Sequence, residues 1–174
     1  TLSDMNDKVA APEVKNARPY DVSPTGRYAE FMRTGWAPSN LEGLQPLEVV
    51  TYAFTRRQVL SAAFVNIRIV IPAGNYKTRS NDTEYVFRPH SAFAFYAGVQ
   101  GADAVPDSVL VMEPNESGGH DSYLYLHPRS TRESDAFYTD RKYGELWVGR
   151  HFTLDEANTV YQIQTRDVEK IEDL

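Results

Sequence analysis

The longest apolar stripe in the chain lies between Pro46 and Phe64 and has the spacing of an α-helix. Its members recur at three- and four-residue intervals, and Arg56, Arg57 and Gln58 fall on the opposite side. The pattern predicts a long helix that begins near Pro46 and turns its apolar side to the core. The stripe consists of Val49, Val50, Ala53, Phe54, Leu60, Ala63 and Phe64.

Beyond this helix the period of the pattern changes to that of strands. Four segments rich in β-branched, aromatic or alternating apolar residues are bounded by proline, glycine or asparagine, which are typical of turns. They predict four strands: NIRIVIPAG (66–74), FAFYAG (93–98), DSVLVMEP (107–114) and DSYLYLHP (121–128).

Shorter signals predict several small helices. Tyr28, Phe31 and Met32 follow the cap Ser23-Pro24 at helical spacing, and RESDAFYTD (132–140) favours one further turn. Thr153 and Glu156 form a capping-box pattern, and RDVEKIEDL (166–174) is predicted to be helical, whereas GELWVGR (144–150) is predicted to be a strand end or a tight turn. We therefore predict an α/β fold, a mixed sheet flanked by helices, with an extended and mobile polar arm over residues 1–25.

Composition narrows the functional classes. A chain of 174 residues is long enough for one core, and its net charge of −6 argues against binding to a phosphate backbone. There is no cysteine, which excludes disulfides, thiolate catalysis and cysteine-ligated metals. No apolar run approaches the ~20 residues of a membrane span and no signal peptide is evident, so a cytoplasmic location is expected.

The sequence offers no set of catalytic or metal-binding residues. Its four histidines, at positions 90, 120, 127 and 151, lack the spacing of a metal site and are expected to lie at the surface. The nucleophile pattern GxSxG is absent, and Ser, His and Asp in GGHDS (118–122) are adjacent in a turn, so they cannot converge as a triad. We therefore expect no catalytic residue and no metal ligand in this chain.

One charged segment remains unexplained by the core. RSNDTEYVFR (79–88) contains Arg79, Asp82, Glu84 and Arg88, which are expected to order a loop through mutual ion pairs because four buried charges need partners. A solvated turn is the alternative interpretation. A nuclease in which Asp82 and Glu84 bind Mg²⁺ is a weaker one, because it needs further carboxylates and the acidic charge of the chain opposes it.

Two motifs resemble the N-terminal domain of Xaa-Pro aminopeptidases, the aminopeptidase P branch of the creatinase-like "pita-bread" metalloenzymes. The first is RSNDTEYVFR followed by SAFAFYAG (91–98), and the second is ELWVGR (145–150), about 50 residues on. RRQVLSAAF (56–64) is similar to the helix that opens the family domain. The order and spacing of the motifs agree over residues 47–174, with His90 and Ala97 as small departures from the family pattern.

The resemblance implies a division of the protein. Residues 1–45 would be an N-terminal extension with a short helix, residues 46–174 the aminopeptidase P N-terminal domain, and a C-terminal catalytic domain would follow outside this chain. That absent domain would bind two divalent metals, usually manganese, through two Asp, one His and two Glu, and would cleave the bond before a proline at position two of a peptide. The N-terminal domain would then be non-catalytic, would bind its own catalytic domain and would build a dimer or tetramer.

The resemblance also assigns site residues. Asp82 and Trp147 are expected at the rim of a neighbouring subunit's substrate pocket, with Arg79, Glu84, Arg88 and Arg150 as supporting residues. We expect the ring of Trp147 to be exposed, because Glu145 and Arg150 prefer water and Val148 would point to the core from an extended segment. The alternative function is a catalytically inactive aminopeptidase-like module that binds a protein or peptide partner.

Overall fold

The computed structural model describes residues 26–39, 41–81 and 83–173. The predicted arm over residues 1–25, the cap Ser23-Pro24 and the candidate site residue Asp82 lie outside the described residues. Among the residues that are described, none belongs to a helix with the length and apolar character needed to span a bilayer.

The chain divides into two compact units. The smaller unit combines the chain up to Leu41 with Arg129–His151, and the larger combines Glu42–Pro128 with Phe152–Leu174. Both units are therefore built from segments that are distant in sequence.

The larger unit contains a four-stranded mixed sheet in the order β1-β4-β5-β6. Strands β1, β4 and β5 pair antiparallel, and β6 pairs parallel to β5. A separate β2–β3 hairpin precedes helix α3. In chain order the elements of this unit are α2 (Val49–Ala63), β1 (Ile69–Pro72), β2 (Thr78–Ser80), β3 (Thr83–Glu84), α3 (Ser91–Ala97), β4 (Val109–Pro114), β5 (His120–Leu126), α6 (Leu154–Tyr161) and β6 (Gln164–Asp167).

The core of this unit packs helices against the sheet. Successive residues of β4 from Leu110 to Met112 are all buried, as expected for a strand covered on both faces. Side chains from α3 and α6 complete the same cluster, which includes Phe93, Ala97, Ala157, Val160 and Tyr161. The prediction of a mixed sheet flanked by helices is thus confirmed, as are the predicted strands at β1, β4 and β5.

The predicted strand FAFYAG is wrong, because the segment forms helix α3. Phe93 and Ala97, four residues apart, are both buried, whereas Phe95 is half-exposed. Gly98 ends the helix in the left-handed conformation at φ 75°, and its N–H donates to Ala94 O. The aromatic residues suggested a strand, but the helical spacing of the buried positions determines the structure.

Helix α2 forms as predicted, but its buried side coincides with the predicted stripe only in part, at Ala53 and Leu60. Ala53, Arg57 and Ser61 are buried, while Phe54 and Phe64 remain about half-exposed. The buried side of the helix is therefore rotated by part of a turn from the predicted one. Arg57, which was predicted on the polar, solvent-facing side, is only 3% exposed.

The C-terminal segment departs from prediction in one strand. The capping box of α6 is confirmed, with Thr153 Oγ1 accepting from the Glu156 N–H and Glu156 accepting from the Thr153 N–H. Residues 164–167, however, form β6, and the predicted helix reduces to a 3-10 segment over Val168–Asp173.

The described residues of the smaller unit form three short helices, α1 (Gly26–Arg33), α4 (Ala136–Thr139) and α5 (Glu145–Val148). The short helices predicted around residues 28–32 and within 132–140 are confirmed. Ala29, Phe137 and Tyr138 form its buried cluster, and the Trp36 ring packs edge-on against Phe137. GELWVGR, predicted as a strand end or a tight turn, contains the one-turn helix α5.

Candidate functional site

The charged segment 79–88 forms an exposed hairpin in the larger unit. Ser80 pairs with Thr83 across the turn, with 2.6 Å between their hydroxyl oxygens, and the Tyr85 N–H donates to Lys77 O at 2.9 Å. Arg79 and Glu84 are exposed. Because Asp82 lies outside the described residues, the expected set of mutual ion pairs stays a prediction.

The segment after the hairpin leads directly into α3. Arg88 Nη2 donates to Ser91 Oγ at 3.2 Å, at the first residue of that helix. Burial, with a smaller contribution from the charge of Glu84, raises the pKa of Tyr76, which lies edge-on to Phe87. The hairpin is therefore tied to the core at its base and is open to solvent at its tip.

Trp147 is held by two contacts within the smaller unit while half of it remains exposed. Its Nε1–H donates to Tyr138 O at 2.7 Å, and the Arg141 guanidinium lies 4.6 Å from the ring centroid. The residue is 50% exposed, so the predicted exposure is confirmed. An indole fixed at its nitrogen edge and open on part of its surface can offer a flat apolar contact to a ligand.

The reason given for that exposure was partly wrong. Glu145 does not face water but is buried, and it accepts from Arg129 Nε at 2.6 Å and from Arg132 Nη2 at 2.9 Å. Val148 lies in a helical turn rather than in an extended segment, so the alternation argument does not apply. Trp147 is exposed because α5 turns its buried residue, Glu145, toward the two arginines.

The electrostatics of this cluster favour the charged carboxylate. Burial by itself would raise the pKa of Glu145, but the hydrogen bonds from Arg129 and Arg132 and their positive charges outweigh it and hold the pKa below its ordinary value. Both arginines also donate to the backbone of the segment before Leu41, Arg129 to Ser39 O and Arg132 to Ala37 O. The cluster thus joins α5 to that segment of the same unit.

Arg150, predicted as a supporting residue, binds the same segment before Leu41. Its Nε donates to Ser39 Oγ at 2.9 Å, and its Nη1 donates to His151 O at 3.1 Å. Gly144, which precedes α5, has no room for a side chain, because a Cβ there would overlap the carbonyl oxygens of Ala136 and Asp140. The close approach of α4 and α5 therefore requires glycine at this position.

Sequence reasoning missed Arg129 and Arg132. They lie 16 and 13 residues before Glu145, so no local pattern connects them with it.

The expectation of surface histidines is wrong for His151, which is buried. In the part of the chain that the structure describes, no three His, Asp or Glu side chains are grouped so that they could hold a metal ion.

Comparison with solved structures identifies the class of fold. Aminopeptidase P II from Yersinia pestis is 25% identical to the chain with a TM-score of 0.56, covering 71% of this chain and 26% of that one. Aminopeptidase P from Escherichia coli with the inhibitor Pro-Leu, at 24% identity and a TM-score of 0.58, has the same fold over 74% of this chain and 26% of its own.

The family follows from the sequence comparisons. The model described as "Aminopeptidase P, N-terminal domain" matches residues 52–174, and the chain belongs to this family. Xaa-Pro aminopeptidase 1 of Streptomyces coelicolor is 48% identical over 143 residues, and Xaa-Pro aminopeptidase 2 of the same organism is 41% identical over 157 residues. The resemblance deduced from the two motifs is thereby confirmed.

The chain spans only part of these relatives. The matches cover 82% and 89% of this chain but only 28% and 32% of the two Streptomyces proteins. The chain therefore corresponds to the N-terminal domain region of much longer proteins.

Proposed function

We propose that this chain is the non-catalytic N-terminal domain of a Xaa-Pro aminopeptidase, which removes the residue preceding proline from the N-terminus of peptides. The 48% identity to a Streptomyces Xaa-Pro aminopeptidase over 82% of this chain is the observation that carries the proposal. The catalytic centre, with two divalent metals that the resemblance suggests are manganese, belongs to the remainder of the protein. We also infer from the resemblance that the enzyme forms a dimer or tetramer, and we propose a cytoplasmic location for it.

We further propose that Trp147 and Asp82 contribute in trans to the substrate pocket of a neighbouring subunit, with Arg79, Glu84, Arg88 and Arg150 supporting them. The exposed face of Trp147 supports this role, because a flat indole suits a proline ring. The fixed orientation of Trp147 supports the role as well. The hydrogen bond to Tyr138 O and the contact with Arg141 already restrict this side chain, so it loses less conformational entropy when a ligand binds.

The activity is tested by comparing this chain with the full-length protein. We expect the 174-residue chain to release no amino acid from an Xaa-Pro peptide with added Mn²⁺, and the full-length protein to do so until a chelator is added. The measurement is free amino acid released over time. Chelator-sensitive turnover by the short chain, or a full-length protein that is inert with every divalent metal tried, would contradict the proposal.

The role of Trp147 is tested in the full-length enzyme. We expect Trp147→Ala to lower kcat/KM on proline-containing peptides by the equivalent of about 1–2 kcal/mol, because an exposed ring would be lost from the pocket rim. Trp36→Phe is a suitable control, because Trp36 belongs to the same unit and packs on Phe137 without being assigned to the site. An unchanged kcat/KM, or an equal loss in both variants, would remove Trp147 from the pocket.

A further inference from the structure

A concave site lies entirely within the larger unit, away from Trp147 and its neighbours. It is a cleft of about 460 Å³ bordered by α2, by the start of β5 and by the start of β6. Its lining is mostly polar, and it includes Arg57, Gln58, His120, Asp121, Tyr123 and Gln164. None of the described residues of the proposed substrate rim lines it.

Arg57 is the unusual member of this lining. It is 3% exposed, and its Nη1 donates to Tyr96 O at 2.8 Å. In the described part of the chain, no carboxylate lies within ion-pairing distance of it. Asp121, the carboxylate in the lining, instead accepts from Asn115 Nδ2 at 3.0 Å. Among the described residues, Arg57 is therefore a buried cation without a counter-charge.

Such an arrangement is energetically unfavourable unless a partner compensates it. Burial lowers the pKa of Arg57 to about 10, so the guanidinium still carries its charge at neutral pH. The smaller unit shows the usual solution, because there the buried Glu145 is paired with two arginines. Arg57 therefore contributes a charged but almost fully buried side chain to the lining of the cleft.

Capping of α3 explains only part of this arrangement. Arg57 and Arg56 both donate to carbonyl oxygens in the last turn of that helix, Arg57 to Tyr96 O and Arg56 to Phe95 O at 3.1 Å. Arg56 does so from a less buried position, and its guanidinium lies 4.1 Å from the Phe95 ring centroid. Because Arg56 caps the helix from this less buried position, capping does not require the burial of Arg57. A single carbonyl oxygen does not neutralise the charge of Arg57.

The other lining groups indicate what the cleft would accept. His120 is already occupied, with Nδ1 at 2.8 Å from Ser61 Oγ and Nε2 donating to Ile67 O, which can only accept. Among the described residues of the lining, Arg57 is thus the one side chain with a permanent positive charge. A lining with one permanent cation and the carboxylate of Asp121 suits an anion with one charge better than a phosphate dianion.

We propose that this cleft is a carboxylate-binding site in which Arg57 pairs with the ligand. The carboxylate receives charge-assisted N–H bonds from the guanidinium, and the amides of Gln58 and Gln164 line the wall beside it. The group can come from a small organic acid or from the C-terminus of a peptide, and the two sources share this chemistry.

The test measures binding of defined probes to the 174-residue chain by NMR. The probes are acetate, N-acetyl-glycyl-glycine with a free terminal carboxylate, and the same peptide as its amide. We expect saturable shifts confined to amides lining the cleft with one or both carboxylates and none with the amide. Acetate binding indicates a small acid, and binding of the peptide alone indicates a peptide terminus.

Two variants separate the cleft from the helix cap. Arg57→Gln should weaken carboxylate binding at least about thirtyfold, whereas Arg56→Gln, which removes the neighbouring cap, should leave it within about twofold. Gln58→Glu changes only an exposed side chain of the lining, so it keeps the fold, and it should also weaken binding by placing a like charge on the wall.

The outcomes are decisive in either direction. Loss of binding in Arg57→Gln and Gln58→Glu but not in Arg56→Gln supports the site. If Arg57→Gln does not fold, weakened binding in Gln58→Glu alone supports it. The proposal is overturned if neither carboxylate binds saturably, if the amide binds equally well, or if Gln58→Glu binds like the unaltered chain.

Discussion

Phe93→Ala is expected to lower the free energy of unfolding by roughly 3 to 5 kcal/mol, whereas Phe95→Ala should cost about 1 kcal/mol. Phe93 has no exposed surface and belongs to the core cluster of the larger unit, so its removal leaves a cavity. Phe95 is 47% exposed and stacks with the Arg56 guanidinium. Urea unfolding of both variants beside the unaltered chain measures the two losses.

This pair of variants also tests the helical assignment of the segment. Residues two apart share one face of a strand but are separated by about 200° around a helix. In the strand predicted from the sequence, Phe93 and Phe95 would be buried together and their losses would be similar. Equal losses would therefore contradict helix α3, and a several-fold difference supports it.

Local signals in the sequence predicted local structure well. The capping box at Thr153 and Glu156 involves residues three apart, and the strand at 109–114 is bounded by its own turn residues, so neither depends on distant contacts. Strand β6 does depend on them, because its parallel pairing joins Gln164 to Tyr123, which lies far away in sequence. A polar segment such as QTRD gives no strand pattern of its own, and the prediction failed there.

The buried side of α2 shows a second limit. The sequence contains apolar residues around most of this helix, so that several stripes fit its pattern equally well. Packing selected the side of Ala53, where small residues allow α3 to approach, as the 3.1 Å from the Ala53 Cβ to a Cβ built on Gly98 indicates. Neither this approach nor the burial of Arg57 on α2 follows from residue type.

The candidate site was located by resemblance rather than by chemistry in the sequence. The motif at 145–150 led to Trp147 and Arg150, and the exposed ring agrees with that assignment. Arg129 and Arg132, which pair with Glu145 of the same helix α5, come from a segment without any recognised motif. Ion pairs between residues more than ten positions apart depend on the tertiary fold, and a single sequence does not encode them visibly.

The pairing of Glu145 with these two arginines is the basis of the second large expected effect. Glu145→Gln should lower the free energy of unfolding by about 3 kcal/mol at pH 7, because two guanidinium groups would lose the carboxylate that compensates their burial. The Glu145 side chain is 7% exposed, and those of Arg129 and Arg132 are 14% and 23% exposed, so water replaces the lost charge only in part. Glu133→Gln, an exposed site in the same unit, is the matched control and should change stability by less than about 0.5 kcal/mol.

The pH dependence of the free energy of unfolding distinguishes loss of the Glu145 charge from loss of side-chain packing. The folded-state pKa of Glu145 lies below its ordinary value of 4.5, so the folded chain binds this proton less readily than the unfolded chain does. The stabilisation is therefore complete above the ordinary pKa and disappears as pH falls through the lower, folded-state value. Urea unfolding at pH 7, 5 and 3 should show the unaltered chain losing its advantage over Glu145→Gln only at the acidic end. A difference that is the same at all three pH values would mean that the carboxylate contributes through packing, and that the paired charges do not hold α5 and Trp147 in place.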